Sequence, residues 1–214
     1  LIIKGSGAFA NLSDAQFYGL STILIGVLTM VYTYIGGIRS VIWMDVIQMT
    51  IYMSGAILAG VLILNNLPEG FSSVIGWAEQ ENKLVWFYSG TDLALREFIT
   101  QPYTFFIALI GGAIFSLASH GTDQLIVQRV LTCRNKLESQ KAISVSGIAV
   151  FLQFFVFLLL GVMLYAYYGG VNYQELGLTR ADGIFPKFIV EEMPVGVSGL
   201  IVAALFAAAM STLS

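Results

Sequence analysis

The sequence predicts an all-α integral membrane protein, and three observations carry this prediction. Hydrophobic residues make up 57% of the chain and charged residues only 11%, a composition far from that of soluble domains. Apolar runs recur along the chain, each close to or above the roughly 18 residues that cross a bilayer as a helix. The charged residues collect between these runs. Helices satisfy their own backbone hydrogen bonds in lipid, so runs of this length indicate membrane helices.

Five apolar runs predict five spans within a single transmembrane domain. We place the spans at residues 17–35, 41–64, 102–119, 142–168 and 195–213. The chain begins without a methionine, opens only a short way before a span, and stops within its last apolar segment. We therefore expect the sequence to be an internal piece of a longer protein.

The first two spans are joined by a short turn, Ile35–Ile38, which contains two adjacent glycines. Glycine adopts backbone angles that are closed to other residues, so this turn predicts a helical hairpin. The second span carries two overlapping pairs of small residues at a spacing of one helical turn, Gly55 with Ala59 and Ala56 with Gly60. Such pairs let another helix approach closely, and we interpret them as packing positions.

The distribution of basic residues predicts how the chain is oriented. The connection 128–141 is rich in Lys and Arg, whereas the connection 65–101 is mainly acidic. Lys and Arg accumulate on the cytoplasmic side of membrane proteins. We therefore expect 128–141 and the glycine turn to lie inside, and 65–101 and 169–194 to lie outside. The prediction is a multi-pass protein of the cell membrane, and we expect a bacterial inner membrane.

Ala208, Ser211 and Thr212 in the fifth span stand at i, i+3 and i+4 and therefore share one helix face. The carbonyl at 208 and the two hydroxyls offer the oxygen ligands that hard cations prefer, and such groups hold ions near the midplane of membrane carriers. Hydroxyls in membrane helices also bond back to their own helix or support helix packing. The spacing alone leaves both interpretations open.

Asp45 lies about one turn inside the second span, with Gln48 one turn further on the same face. An isolated carboxylate at this depth costs about 2.5 to 3.5 kcal/mol on insertion scales. A partner is therefore expected, such as Arg39, a cation or a water-filled cavity. The alternative is an interfacial aspartate near the cytoplasmic headgroups.

The end of the third span is polar and centred on Gly121. A helix broken around a solute site has this appearance, and an ordinary helix end at the membrane surface has it too. His120, the one histidine of the chain, can titrate near neutral pH, but a lone histidine also serves as a structural hydrogen-bonding residue. The residues of this segment that we predict to contact a solute are Ser116, Ser119, His120, Thr122 and Gln124.

The sequence lacks the motifs of most other functional classes. It contains no nucleophile placed with a base, no metal-ligand spacing and no phosphate-binding loop. We therefore expect neither an enzyme nor a nucleic-acid-binding protein.

Three ordered segments resemble one known family. Residues Tyr34–Gln48 are similar to the fourth-to-fifth helix signature of the sodium:solute symporter family, which includes sodium/glucose, sodium/proline and sodium/sialic acid transporters. Residues Gly121–Arg129 resemble its sixth-helix signature, and Met193–Ser214 resemble its eighth-helix region. The resemblance therefore extends over nearly the whole chain.

The resemblance implies a fold and a set of sodium ligands. The five spans would be core helices four to eight of a ten-helix LeuT-type inverted repeat, with the remaining helices and the lipid bilayer as partners. Ala208, Ser211 and Thr212 would bind the main sodium ion, together with the first helix of the repeat. Asp45 would join Ser211 and Ser214 in a second sodium site or exit path.

The resemblance also implies a function. It is that of a sodium-coupled secondary active symporter, with sodium as the coupling ion, which imports a small organic solute by alternating access. The solute class is a sugar, sialic acid or another organic anion. Ser116, Ser119 and Val150 depart from the pattern of sugar carriers, and the tail from Gly183 looks closer to sialic acid transporters, so we favour an acidic sugar or other organic anion. The alternative is a membrane sensor that couples this module to signalling domains.

Overall fold

The computed structural model describes residues 13–80, 85, 87–101 and 104–213, with the backbone alone at 14, 125 and 209–213. No strand occurs among these residues. In addition to a short 3₁₀ turn at Ala181–Gly183, the helices are α1 (Asp14–Asn66), α2 (Phe71–Gln80), α3 (Leu95–Thr100), α4 (Phe105–Gly121), α5 (Gln124–Leu131), α6 (Lys136–Tyr167), α7 (Ile184–Glu191) and α8 (Val195–Leu213).

Helix α1 contains both of the first two predicted spans and is bent sharply between them. Its helical backbone angles are interrupted at Gly37, where φ is 57° and ψ is −162°. The Ser40 hydroxyl lies 2.9 Å from the carbonyl oxygen of Gly37 and 3.3 Å from that of Tyr32. Residues eight apart in a straight helix are separated by about 12 Å along the axis. The contact between Ser40 and Tyr32 therefore requires the chain to bend at the glycine pair, as the sequence predicts.

Helix α6 begins before its predicted span because a cap precedes it. The Asn135 side chain accepts a hydrogen bond from the Glu138 amide at 2.9 Å, and the Glu138 carboxylate accepts one from the Arg134 amide at 3.2 Å. The bond from Glu138 satisfies one of the amides that the first turn of a helix leaves without partners, and the bond from Arg134 ties the preceding residue to this turn. The helix thus starts in the basic connection and continues into the apolar run.

The chain forms two compact units. One contains the described residues up to Trp77 together with those from Gln153 onward, and the other contains Ala78–Leu152. The first unit has a continuous apolar core to which α1, α2, α6, α7 and α8 contribute. Its buried members include Ala56, Ala59, Ile63, Val74, Leu160, Met163, Leu164, Ala166, Phe188, Ile189, Met193 and Ile201.

The small residues of the second half of α1 are the packing positions in this core. A side-chain carbon added at Gly55 would lie 2.7 Å from Ile201 of α8, and one added at Gly60 would lie 3.4 Å from the Met163 methyl group of α6. Ala56 and Ala59 are buried between these contacts. The packing interpretation of the small residues is therefore confirmed, and they serve two different helices.

Within the described part of the chain, three stretches are long and apolar enough to cross a membrane. They are α1, the pair α3 and α4 taken together, and α6, while α8 contributes a shorter apolar segment. Large apolar side chains are exposed along all of them, as expected of helices that meet lipid or neighbouring helices. The predicted all-α membrane class is confirmed.

Candidate functional site

The second half of α1 and helix α8 pack against each other, and we infer from the residues that they bring to a shared cluster that they run in opposite directions. Ile201 is buried at Gly55. Val197 and Met193, which precede Ile201, join the same apolar cluster as Ile63, which follows Gly55 along α1. The start of α8 therefore lies towards the end of α1. This antiparallel arrangement fixes which residues stand at the same level.

Each helix presents one stripe to this contact. On α1 the stripe consists of Val41, Asp45, Gln48, Gly55 and Ala59, which we call the Asp45 stripe; Asp45 is half-buried and the other four are buried. These spacings of three, four and seven keep residues on one helix face.

On α8 the corresponding stripe consists of Val197, Ile201, Ala204 and Ala208, which we call the Ala208 stripe. Ile201 and Ala204 are buried, and Val197 and Ala208 are half-buried. Positions 211 and 212 follow Ala208 at the same helical spacing.

The spacing of residues from the Gly55–Ile201 contact suggests a common level for the candidate cation residues. Gln48 precedes Gly55 by seven residues, and Ala208 follows Ile201 by seven. Both therefore lie about 10 Å along the helix axes from the Gly55–Ile201 contact. Asp45 and position 211 are each three residues further in the same direction. From this spacing we infer that Asp45 and Gln48 lie near the level of Ala208 and position 211.

Among the predicted sodium ligands, the structure describes Ala208 fully and others only in part or not at all. Helix α8 is continuous from Val195 to Leu213, so no break in the helix releases the carbonyl at Ala208. A helical carbonyl retains a second lone pair that can still bind a cation. The side chains of Ser211 and Thr212 and the whole of Ser214 lie outside the described residues.

The predicted solute residues all lie in the second unit, where the helix is interrupted. Helix α4 ends at Gly121 and α5 begins at Gln124. The carbonyl of Ala118 accepts hydrogen bonds from the Thr122 amide at 3.0 Å, the Thr122 hydroxyl at 2.6 Å and the Asp123 amide at 3.2 Å. The Asp123 carboxylate then accepts from the Ile126 amide at 3.4 Å. A two-residue break, capped on both sides, therefore separates two helices.

Ser116, Ser119 and His120 form a local hydrogen-bonded group at the end of α4. The His120 Nδ1 lies 2.9 Å from the Ser119 hydroxyl and 3.2 Å from the Ser116 carbonyl oxygen. This group leaves Nε2 of the imidazole as its second polar atom. Thr122 directs its hydroxyl to its own helix, while Ser116 and Gln124 are exposed.

Comparison with known sequences identifies the same family that the sequence motifs resemble. The profile of the sodium:solute symporter family matches residues 3–214. The chain belongs to this family. It is 35% identical over 195 residues to the sodium/sialic acid symporter NanT of Aliivibrio fischeri, an alignment that covers 89% of this chain and 37% of that protein. It is 32% identical over 200 residues to the sodium/sialic acid symporter SiaT of Proteus mirabilis, covering 90% of this chain and 38% of that protein.

More distant relatives in the family include the human sodium/iodide cotransporter, with 27% identity over 91% of this chain and 30% of that protein. The relatives are transporters and not enzymes, and their names specify sodium. The chain spans less than two fifths of the length of the curated relatives it matches first. No solved structure gave a significant match.

Proposed function

We propose that the chain is part of a sodium-coupled symporter that moves an organic anion by alternating access. The observation that supports the proposal is the packing of Ile201 of α8 on Gly55 of α1, from which we infer that Asp45 and Ala208 lie at a similar level. A carboxylate, a helix carbonyl and hydroxyls supply oxygens alone, which is the ligand set that a hard monovalent cation accepts.

Sodium entry would supply the driving force. One elementary charge moving through 100 mV yields about 2.3 kcal/mol, equivalent to roughly fiftyfold accumulation of a solute coupled to it. A site between two helices suits this coupling, because small movements of one helix against the other change the distances between ligands.

An anionic solute is supported by the relatives. NanT and SiaT are sodium/sialic acid symporters. The human sodium/iodide cotransporter and a sodium-coupled monocarboxylate transporter of Danio rerio also match the chain. Sialic acid, iodide and monocarboxylates are all anions. The test is sodium-dependent uptake of labelled sialic acid, lactate and glucose by the full-length protein in proteoliposomes. We expect saturable uptake of one of the two acids, and uptake of glucose alone would overturn the anion proposal.

The sodium site is tested by removing single hydroxyls from α8 in the full-length protein. Ser211→Ala and Thr212→Ala each remove one oxygen from a small coordination shell, so each should raise the sodium concentration for half-maximal uptake several-fold. Ser198→Ala is the matched control, because the Ser198 hydroxyl on the same helix already bonds the Val195 carbonyl at 2.9 Å. Wild-type sodium dependence in both test variants would show that the proposed site is wrong.

A further inference from the structure

Three basic side chains are exposed where α5 and α6 meet. They are Arg134, Lys136 and Lys141, which we call the basic corner. None of them forms an ion pair within the described part of the chain. The acidic residue among them, Glu138, directs its carboxylate to the Arg134 amide at 3.2 Å. Clustered charges of one sign attract a ligand of the opposite charge, so the basic corner suits an anion.

Hydrogen bonds fix the backbone that carries the basic corner. The Ser139 hydroxyl lies 3.2 Å from the carbonyl oxygen of Val130, and this contact ties the first turn of α6 to the end of α5. The Asn135 side chain accepts a hydrogen bond from the Glu138 amide at 2.9 Å and closes the same turn. Because the backbone is already ordered, less entropy is lost when several of its side chains bind one ligand.

Large apolar side chains are exposed beside the basic corner. Leu131 at the end of α5 is 75% exposed, and Leu137 in the first turn of α6 is 68% exposed. Ile148 and Phe151 are also exposed, and they follow Leu137 on the same side of α6 after about three and four helical turns. A soluble anion offers nothing to these side chains. An anion that carries acyl chains would contact both the charges and the apolar surface.

We propose that the basic corner binds the headgroup of an anionic phospholipid, whose acyl chains lie along Leu137 and Ile148 of α6. The corner immediately precedes the apolar part of α6, where lysine stems can follow apolar surface while their ammonium groups reach the headgroups. Basic residues beside a membrane helix attract anionic lipids in this way. The inference adds a lipid partner and is independent of the sodium site and of the solute.

The experiment measures thermal unfolding of the purified full-length protein in dodecyl maltoside. Phosphatidylglycerol is added stepwise, and phosphatidylcholine serves as the lipid without net charge. A lipid that binds the folded protein raises the unfolding temperature, and the concentration of half-maximal effect reports its affinity. We expect phosphatidylglycerol to act at lower concentration than phosphatidylcholine. Lys141→Gln should raise the phosphatidylglycerol concentration for half-maximal effect about fivefold, since it removes one basic residue near the headgroup.

Matched variants separate charge at this place from charge in general. Lys136→Gln provides a second decision, with the same expected increase as Lys141→Gln. Lys141→Arg keeps the charge and should titrate like the wild type. Arg96→Gln removes an exposed basic side chain from the connection 65–101, and it should leave the titration unchanged.

Inorganic phosphate tests a soluble anion as the alternative occupant, and it should leave the unfolding temperature unchanged over the same concentrations. An effect of phosphate equal to that of phosphatidylglycerol would overturn the inference, as would an equal response to the two lipids. Wild-type titrations in both Lys141→Gln and Lys136→Gln would overturn it too, and this is the result expected if another part of the full-length protein covers the basic corner. A fivefold change in Arg96→Gln would show that the lipid responds to charge anywhere on the surface.

Discussion

Asp45 offers the sharpest test at the scale of a single residue. It is half-buried on the Asp45 stripe, and asparagine would keep its shape while removing its charge. Loss of that charge should weaken cation binding, so we expect Asp45→Asn to raise the sodium concentration for half-maximal uptake several-fold. Membrane expression should stay near normal, and solute affinity at saturating sodium should change less.

The control for this prediction is Asp92→Asn, which removes a carboxylate from an exposed position of the acidic connection. It should leave the sodium titration unchanged, because salt strongly screens a solvated surface charge. An Asp45→Asn protein that expresses well and titrates like the wild type would return Asp45 to the role of an interfacial aspartate.

The candidate residues differ in how far the sequence could predict them. Ala208, Ser211 and Thr212 share a face by helical period alone, so the sequence suffices to group them. Asp45 stands out in the sequence only as a carboxylate within an apolar run. Which residues of α8 face its helix depends on a contact between residues distant in sequence, Gly55 and Ile201, and helical period carries no information about that contact.

At the scale of helices, the Gly55–Ile201 contact holds the register of α1 and α8. A methyl group at Gly55 would come within 2.7 Å of two atoms of Ile201, and Ile201 is 3% exposed and has little room to move. We therefore expect Gly55→Ala to destabilise the full-length protein by about 1 to 3 kcal/mol, as overpacking does. The measurement is chemical denaturation in detergent.

Gly60→Ala is the matched control, because its new methyl group would meet only the flexible end of Met163 at 3.4 Å. Its effect should be smaller than that of Gly55→Ala. The double variant with Ile201→Ala should be less destabilised than the sum of the single changes, by about 0.5 to 3 kcal/mol, because the smaller side chain makes room for the methyl group. Strict additivity would mean that the two residues do not hold the register.

Helix boundaries were predictable where local chemistry decides them. The glycine pair marks the bend in α1, since Gly37 adopts a positive φ. The early start of α6 at Lys136 is invisible to hydropathy, because polar residues of the first turns continue the helix beyond the apolar run. Thr122 and Asp123 cap the two helix ends between α4 and α5. Such capping fits both a helix broken around a solute site and a helix end at the membrane surface, so the solute site stays a prediction.

At the scale of the whole molecule, the fold class follows from composition, because a chain this apolar must use lipid as its solvent. The division into two compact units does not follow from composition. It depends on contacts between residues distant in sequence, such as those that bring α1, α6 and α8 into one core. Local sequence pattern carries no information about such contacts, so the sequence does not predict the two packing stripes.

The orientation of the whole chain is predicted from the distribution of charge, and a cysteine that is already present can test it. Cys133 is a partly exposed free thiol in the basic connection between α5 and α6. Because this connection is rich in Lys and Arg, we expect it to face the cytoplasm. In intact cells that express the full-length protein with its other cysteines replaced by serine, Cys133 should resist a membrane-impermeant maleimide and react after permeabilisation.

The matched control places a thiol on the opposite side, with Gln174→Cys in a Cys133→Ser background. Gln174 is exposed in the segment 169–194, which an odd number of membrane crossings separates from the basic connection if α6 spans the bilayer. This thiol should react in intact cells. Fast labelling of Cys133 together with protection of Gln174→Cys would invert the orientation, and the level of Asp45 would then lie nearer the outer face. Because sodium enters from outside and leaves towards the cytoplasm in an importer, that result would make Asp45 part of the entry and not of the exit.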